Sequence, residues 1–258
     1  MGIVVDQISK HYVRRREEII ALQSVSLQIE DGEFVAFVGP SGCGKSTLMN
    51  MIAGIIPATS GTILHDGRPV LGVNTAVGYM TQIDSLLPWR TTEDNIALAL
   101  QLRGTPKREM TDRVDRMLDL VKLTQFRHHY PVELSGGMRK RVALAQVLAY
   151  DPDTLLMDEP FGALDAQLKL VMQDELLRIW DRSRKTVVFV THDLGEAIAV
   201  ADWIVVFSSR PGRINRIEKI DLPRPRNVFQ IRFAPRFQEI YESIWAALEP
   251  EIQREEAL

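Results

Sequence analysis

Nine consecutive residues, Gly39, Pro40, Ser41, Gly42, Cys43, Gly44, Lys45, Ser46 and Thr47, fit the spacing G-x-x-x-x-G-K-[ST]. Three glycines remove the Cβ atoms that would keep a phosphate away, so backbone N–H groups can converge on its oxygens. The helix that should follow adds partial positive charge at its start. Lys45 has the length to reach the outer phosphates, and the Ser46 hydroxyl can ligate Mg²⁺. Cys43 reads as a small filler rather than a chemical participant. A chance glycine turn is the bland alternative, and the loop's position between an apolar strand and a helix argues against it.

Two further groups have the composition of reactive chemistry. Leu155-Leu156-Met157 lead into Asp158 and Glu159, and a second apolar run, Thr186–Val190, leads into Thr191-His192-Asp193. Ligands of open α/β sheets bind at the carboxyl ends of the strands. An Asp there can hold Mg²⁺ or its water, and a neighbouring Glu can polarise an attacking water as a general base. His192 would share that edge and could contact the terminal phosphate. Alone, the acids would read as a solvated pair and the histidine as structural. His11, His65, His128 and His129 lack such a setting and read as surface residues, and nothing resembles a zinc site. A third group, Leu134-Ser135-Gly136-Gly137-Met138, lies about ninety residues beyond Lys45 and precedes a helix. Ser135 is a favoured N-cap, yet capping does not explain two glycines that weaken the helix. The sequence therefore offers two helix starts suited to phosphate.

The elements that must position these groups follow from hydrophobic periodicity. Val25, Leu27 and Ile29 alternate with polar residues, as a half-buried antiparallel strand requires. Residues 34–38 are apolar on both faces, the mark of a central parallel strand, and 46–53 read as a helix stopped by Gly54. Doubly apolar strands recur at 154–157, 186–190 and 204–207 with helix-length segments between them, which predicts an α/β fold with a parallel sheet. Between Trp89 and Tyr150 the strand signal stops. Val114, Met117, Leu118 and Val121 fall on one face of a helix beginning near Thr111, so about 89–150 is predicted to be a helical insertion. These parts form one domain over 1–220. Residues 221–258 open with the linker LPRPRN and continue into an amphipathic helix through Phe237, Ile240, Tyr241, Ile244 and Leu248. That tail is too small for a core of its own and reads as an appendage.

The composition excludes several roles. A net charge of −3 gives no general attraction to nucleic acid or anionic lipid. No apolar run approaches the roughly 18–20 residues that span a bilayer, and the first residues lack the features of a signal peptide. A lone cysteine suits a reducing compartment.

The ordered set GPSGCGKST, Gln82, LSGGM, LLMDEP, Ala163-Leu164-Asp165 and Thr191-His192 resembles the nucleotide-binding subunit of an ABC transporter over roughly residues 3–207. The resemblance implies a P-loop NTPase fold: a RecA-like parallel-sheet core, an N-terminal antiparallel β subdomain and an inserted α-helical subdomain. It implies an ATPase using ATP and Mg²⁺, with Gln82 sensing metal and attacking water, Asp165 linking two sites, and Tyr12 stacking on adenine. Residues 14–18 leave the length of the charged stretch after Tyr12 open. The family works as a head-to-tail homodimer in which Ser135, Gly136 and Gly137 of one chain face the terminal phosphate held by Lys45 of the other. Met138 stands where many relatives have Gln. Together LLPW, GPSGCGKST and MDEPFGALDAQ look most like the subfamily importing nitrate, alkanesulfonates, taurine or related small solutes. That resemblance implies a peripheral place on the cytoplasmic face of the inner membrane, with a permease received near Asp84-Ser85-Leu86-Leu87-Pro88-Trp89-Arg90 and, indirectly, an exported solute-binding protein. A soluble ATPase of the same type acting on DNA or ribosomes is the main rival, although it usually has two cassettes or coiled-coil arms. A small-molecule kinase would leave LSGGM unexplained.

Overall fold

The computed structural model of the protein describes residues 2–14 and 17–256, so Arg15 and Arg16 of the charged stretch lie outside the described residues. The chain opens with two long strands, β1 (Ile3–Arg14) and β2 (Glu17–Ile29), and then enters β3 (Phe34–Val38) and helix α1 (Lys45–Ile52). Strands β4 (Ser60–His65), β5 (Arg68–Pro69) and β6 (Val77–Met80) follow. Three helices come next: α2 (Thr92–Leu102), α3 (Lys107–Leu120) and α4 (Gly136–Ala149). The second half alternates β7 (Thr154–Asp158), α5 (Ala166–Ser183), β8 (Thr186–Val190), α6 (Leu194–Val200) and β9 (Trp203–Phe207), and ends with β10 (Ile214–Lys219) and α7 (Pro235–Glu256).

The strands form two sheets. One is antiparallel with the order β2-β1-β4-β5, and the other has the order β10-β9-β3-β8-β7-β6. The second is parallel except for the edge strand β10. Strand β3 is buried along its whole length because its two faces serve two cores. Phe34, Ala36 and Val38 pack into the core shared with α2, α3, α4, α5, α6 and α7, whereas Val35 and Phe37 pack against α1 and the antiparallel sheet. A strand covered on both sides has no polar face, which explains its continuous apolar sequence. The carboxyl ends of β3, β7 and β8 consequently share one edge.

Among the described residues no strand falls between β6 and β7, and α2, α3 and α4 occupy this stretch with turns between them, one of these helices starting earlier than expected. Helix α3 starts at Lys107 behind Pro106, not near Thr111. Thr111 lies inside the first turns and returns its hydroxyl to the Lys107 carbonyl at 3.0 Å. The apolar face from Val114 to Val121 marks only the later turns, and the polar first turn behind Pro106 carries no periodicity that would show it. A second expectation fails at His65, which is buried, not a surface residue. Its Nε2 lies 3.0 Å from Thr154 Oγ1 and its Nδ1 3.2 Å from Asn74 Nδ2, so polar partners from both sides allow its burial.

The C-terminal segment packs on the larger core, since Phe237, Ile240, Ile244 and Leu248 of α7 belong to it. The stretch ahead of it is a fastening. Arg226, 5% exposed, donates from Nη1 to the carbonyls of Ile198, Ala199 and Ala201 and from Nη2 to those of Ile220 and Leu222. It thereby satisfies the carbonyls that the end of α6 leaves open. Burial pulls its guanidinium down to about 10. Arg226→Ala is expected to cost roughly 3 kcal/mol or more in chemical denaturation, because buried carbonyls lose their donor together with the packing. A loss under about 1 kcal/mol would show that water replaces the guanidinium at little cost.

Candidate functional site

The turn after β3 is shaped by close approach. Gly44 has a φ of 105°, and a Cβ there would come within 2.6 Å of the Leu22 side chain and 3.0 Å of the Ala21 carbonyl. Only glycine lets β2 lie this close to the loop while α1 starts at the next residue. Lys45, 8% exposed, folds its ammonium back onto the loop, 2.8 Å from the Gly39 carbonyl and 2.6 Å from that of Pro40. Cys43 is buried, with its sulfur 3.4 Å from the same ammonium. It fills space beneath the loop.

Glu159 follows β7 with a φ of 49°, a left-handed conformation that non-glycine residues adopt at a cost of roughly 1–2 kcal/mol. Its N–H donates to the Val190 carbonyl at 2.9 Å, which ties the end of β7 to the end of β8. Two neighbours frame its carboxylate. Gln82 Nε2 donates to Oε2 at 3.4 Å, and His192 Nδ1 lies 3.5 Å from Oε1. One carboxylate thus meets an amide from the end of β6 and an imidazole from the end of β8. This arrangement can hold and deprotonate a water molecule.

Asp158 lies behind it and is 2% exposed. Burial raises its carboxyl above the usual range, while the Ser46 hydroxyl, Lys45 and Lys140 pull the other way. Asp158 Oδ1 is buried with no hydrogen-bond partner among the described residues. A buried carboxylate oxygen without a donor, next to a hydroxyl, fits a hard cation.

The loop, Gln82, Glu159 and His192 border one cavity of about 280 Å³, lined by Gly39, Ser41, Gly42, Gly44, Lys45, Ser46, Thr47, Gln82, Glu159 and His192, whereas Pro40, Cys43 and Asp158 are not part of its lining. Tyr12, Ile19 and Ala21 of the antiparallel sheet form another of its walls, with Tyr12 40% exposed. Ser135, Gly136, Gly137 and Asp165 do not border it. They group elsewhere. Ser135 caps α4 by accepting from Met138 N–H, and Asp165 caps α5 by accepting from Leu168 N–H at 2.9 Å. A Cβ at Gly137 would come within 3.1 Å of the Ala163 carbonyl, so the start of α4 rests on the loop that leads to Asp165.

Two residues at the site had no sequence signal of their own. Lys140, buried in α4, bonds the carbonyls of Thr81 and Gln82 and lies 3.7 Å from Asp84. Arg139 binds Asp84 at 3.1 Å, so the turn bearing Gln82 is clamped to the helix that starts at Gly136. Arg210 borders the cavity from the turn after β9. The rule that strand carboxyl ends host ligands would have singled out that turn.

Known proteins resemble this chain in sequence and in fold. A family model described as ABC transporter matches residues 22–162. An aliphatic sulfonates import ATP-binding protein of Bacillus cereus is 40% identical over 244 residues, 95% of this chain and 94% of that protein. A nitrate import ATP-binding protein of Synechocystis is 42% identical over 253 residues, 96% of this chain and 95% of that one. Among solved structures, a dimeric ATP-binding cassette in a post-hydrolysis state, bound to ADP and Pi, superposes with a TM-score of 0.79. It is 31% identical and covers 86% of this chain and all of its own. A phosphate loop and a framed carboxylate on one sheet edge, in a sequence alike from end to end, have one common reading: this chain is an ATPase of the ABC transporter family.

Proposed function

We propose that the chain is the motor subunit of an importer, working as a homodimer that couples ATP binding and hydrolysis to a separate membrane permease. The observation carrying this reading is that the site falls into two parts. Lys45, Glu159 and His192 border the cavity, whereas the start of α4 does not. A second copy supplies what is missing, with its Ser135, Gly136 and Gly137 N–H groups placed on the terminal phosphate. Helix α4 suits that task because it has no acidic residue in its first turn, whereas α2 and α3 do.

In this mechanism the N–H groups of residues 39–47 cradle the phosphates and Lys45 moves from the loop carbonyls to the outer phosphates. Tyr12 lies against the adenine. Ser46, Gln82 and Asp158 would hold Mg²⁺, which when bound neutralises phosphate charge. Glu159 takes a proton from the attacking water, Gln82 fixes that water, and His192 touches the terminal phosphate while orienting Glu159. Asp165 joins the two sites across the dimer. ATP closes the dimer, and hydrolysis with product release reopens it.

Support for import comes from the names of the relatives, which import aliphatic sulfonates and nitrate. The solute is therefore nitrate, a sulfonate, taurine or a related small molecule, delivered by an exported binding protein. Ile83 and Trp89 are 80% and 72% exposed on the segment that follows Gln82, which suits a docking permease. Among the described residues no helix is long and apolar enough to cross a membrane, so attachment at the inner face would be peripheral. The domain takes in residues 1–220 with its helical insertion, and 221–258 is an appendage to it. In the test, this chain is co-expressed with the permease proposed as its partner and the pair is reconstituted in liposomes. Hydrolysis is expected to rise several-fold with the permease and to ignore added DNA. Stimulation by DNA without any effect of the permease would overturn the importer reading.

A further inference from the structure

Residues 208–213 form a turn wedged between the phosphate loop, β2 and the C-terminal helix. Gly212 donates its N–H to the Ala21 carbonyl and accepts from Gln23 N–H, both at 3.0 Å. A Cβ on Gly212 would fall 1.8 Å from the Cys43 carbonyl, so the turn is pressed directly against the loop. The turn also closes on itself, through Ser208 N–H to the Arg213 carbonyl at 2.9 Å and Arg213 N–H to Ser208 Oγ at 3.0 Å. Arg210, exposed at its tip, donates Nη2 to the Gly42 carbonyl at 3.2 Å and borders the cavity.

From the other side, α7 holds the turn. Glu251, 6% exposed, accepts through Oε2 from Ser209 N–H at 2.9 Å and from Ser209 Oγ at 3.0 Å, while its Oε1 binds Arg254 at 2.9 Å. Helix α7 is itself fixed by β10, where Asn215 donates to the Ala247 carbonyl and Arg216 to the Ser243 carbonyl. A buried carboxylate of the tail thus sets the residue immediately before the arginine at the mouth of the cavity.

We propose that Arg210 is a nucleotide-contacting residue whose guanidinium binds phosphate oxygens, and that Glu251 is the positioning residue through which the C-terminal helix sets nucleotide affinity. The inference rests on the cavity being the nucleotide site. A di- or triphosphate brings several negative charges, and among the described residues Lys45 and Arg210 are the lysine and arginine side chains of the cavity lining, beside His192. Arg210 has a planar fork of donors matched to phosphate, and among the described residues one nitrogen of it, Nη2, is used on Gly42. The tail then has a role in function: any ligand or partner that shifts α7 changes affinity at the phosphate loop.

Calorimetric titration of the full-length chain with Mg-ADP and with a non-hydrolysable Mg-ATP analogue tests this. Arg210→Ala is expected to weaken both by about tenfold, the worth of one charge-assisted bond, with Arg210→Lys in between. Glu251→Ala should weaken binding similarly, and Glu251→Gln should recover most of it, because an amide oxygen still accepts from Ser209. In the Arg210→Ala background Glu251→Ala should add nothing, an outcome that a merely structural role would not give. Lys45→Ala is the control. If it binds like the wild type, the cavity is not the nucleotide site and the functional reading fails. If it loses binding while Arg210→Ala does not, the present proposal is overturned. Independent, additive losses for Arg210 and Glu251 would overturn the positioning role. Should Glu251→Ala fail to fold, the exposed Arg210 carries the test alone.

Discussion

Replacing Glu159 by glutamine will leave nucleotide binding intact and lower steady-state hydrolysis by about 10²–10⁴-fold, the usual contribution of a positioned general base. Shape and contacts are kept, since a glutamine can still meet the Gln82 amide and the His192 ring that flank this position at 3.4 and 3.5 Å. What is lost is the basic oxygen. Removing a negative charge beside the terminal phosphate also favours the ATP-bound state, so the variant should accumulate as a closed dimer in Mg-ATP, visible by light scattering. The wild type, which hydrolyses its ATP, should return to monomer. The left-handed backbone at Glu159 adds a second expectation. Its strain is held by the N–H bond to Val190 and not by the side chain, so Glu159→Gln should melt within a few degrees of the wild type. Near-normal turnover in this variant would remove Glu159 from the role of base and leave His192 as the next candidate.

How much of this could be read from the sequence depends on where the determining contacts lie. Strands β3, β7 and β8 are legible because burial on both faces writes itself into five consecutive residues. The phosphate loop is legible because backbone chemistry there demands glycine at fixed spacing. His65 is not, because the Thr154 hydroxyl that satisfies it lies 89 positions away and no local pattern announces such a partner. Arg226 reads as one basic residue of a linker until the carbonyls of α6 are placed around it. Lys140 looks like a solvated charge on a helix, yet it is buried under the turn that bears Gln82, and burial lowers its ammonium below the usual range. Arg210 is hidden for the same reason: a turn after β9 reaches the loop after β3 only because those strands are neighbours in the sheet. Local spacing encodes the chemistry that the backbone performs. The side chains that brace it are encoded by topology.

Mixing two inactive variants should restore activity if the site is divided between chains as proposed, and this is the sharpest test of that division. Lys45→Ala removes the phosphate-loop half of a site. Gly136→Asp removes the other half by setting a carboxylate where a phosphate is to be received. The second variant should fold, because a Cβ at Gly136 has its nearest neighbour, Arg139 Nη2, at 3.7 Å, and an acid in the first helical turn contributes about 0.3–1 kcal/mol to the helix. In any dimer of one variant alone both sites are damaged. A mixed dimer has one site damaged twice and one site wholly intact, made of Lys45 from the Gly136→Asp chain and Gly136 from the Lys45→Ala chain. With random pairing at equal amounts, half the dimers are mixed and each has one good site of two. The mixture should therefore reach about a quarter of wild-type hydrolysis per chain if the two sites fire independently, measured well above the dimerisation midpoint. A site complete within one chain predicts no recovery, since each chain would carry its own defect into every pairing. Recovery above the sum of the two variants thus measures something that the geometry of a single chain only implies: the phosphate loop is half of a site, and hydrolysis belongs to the pair.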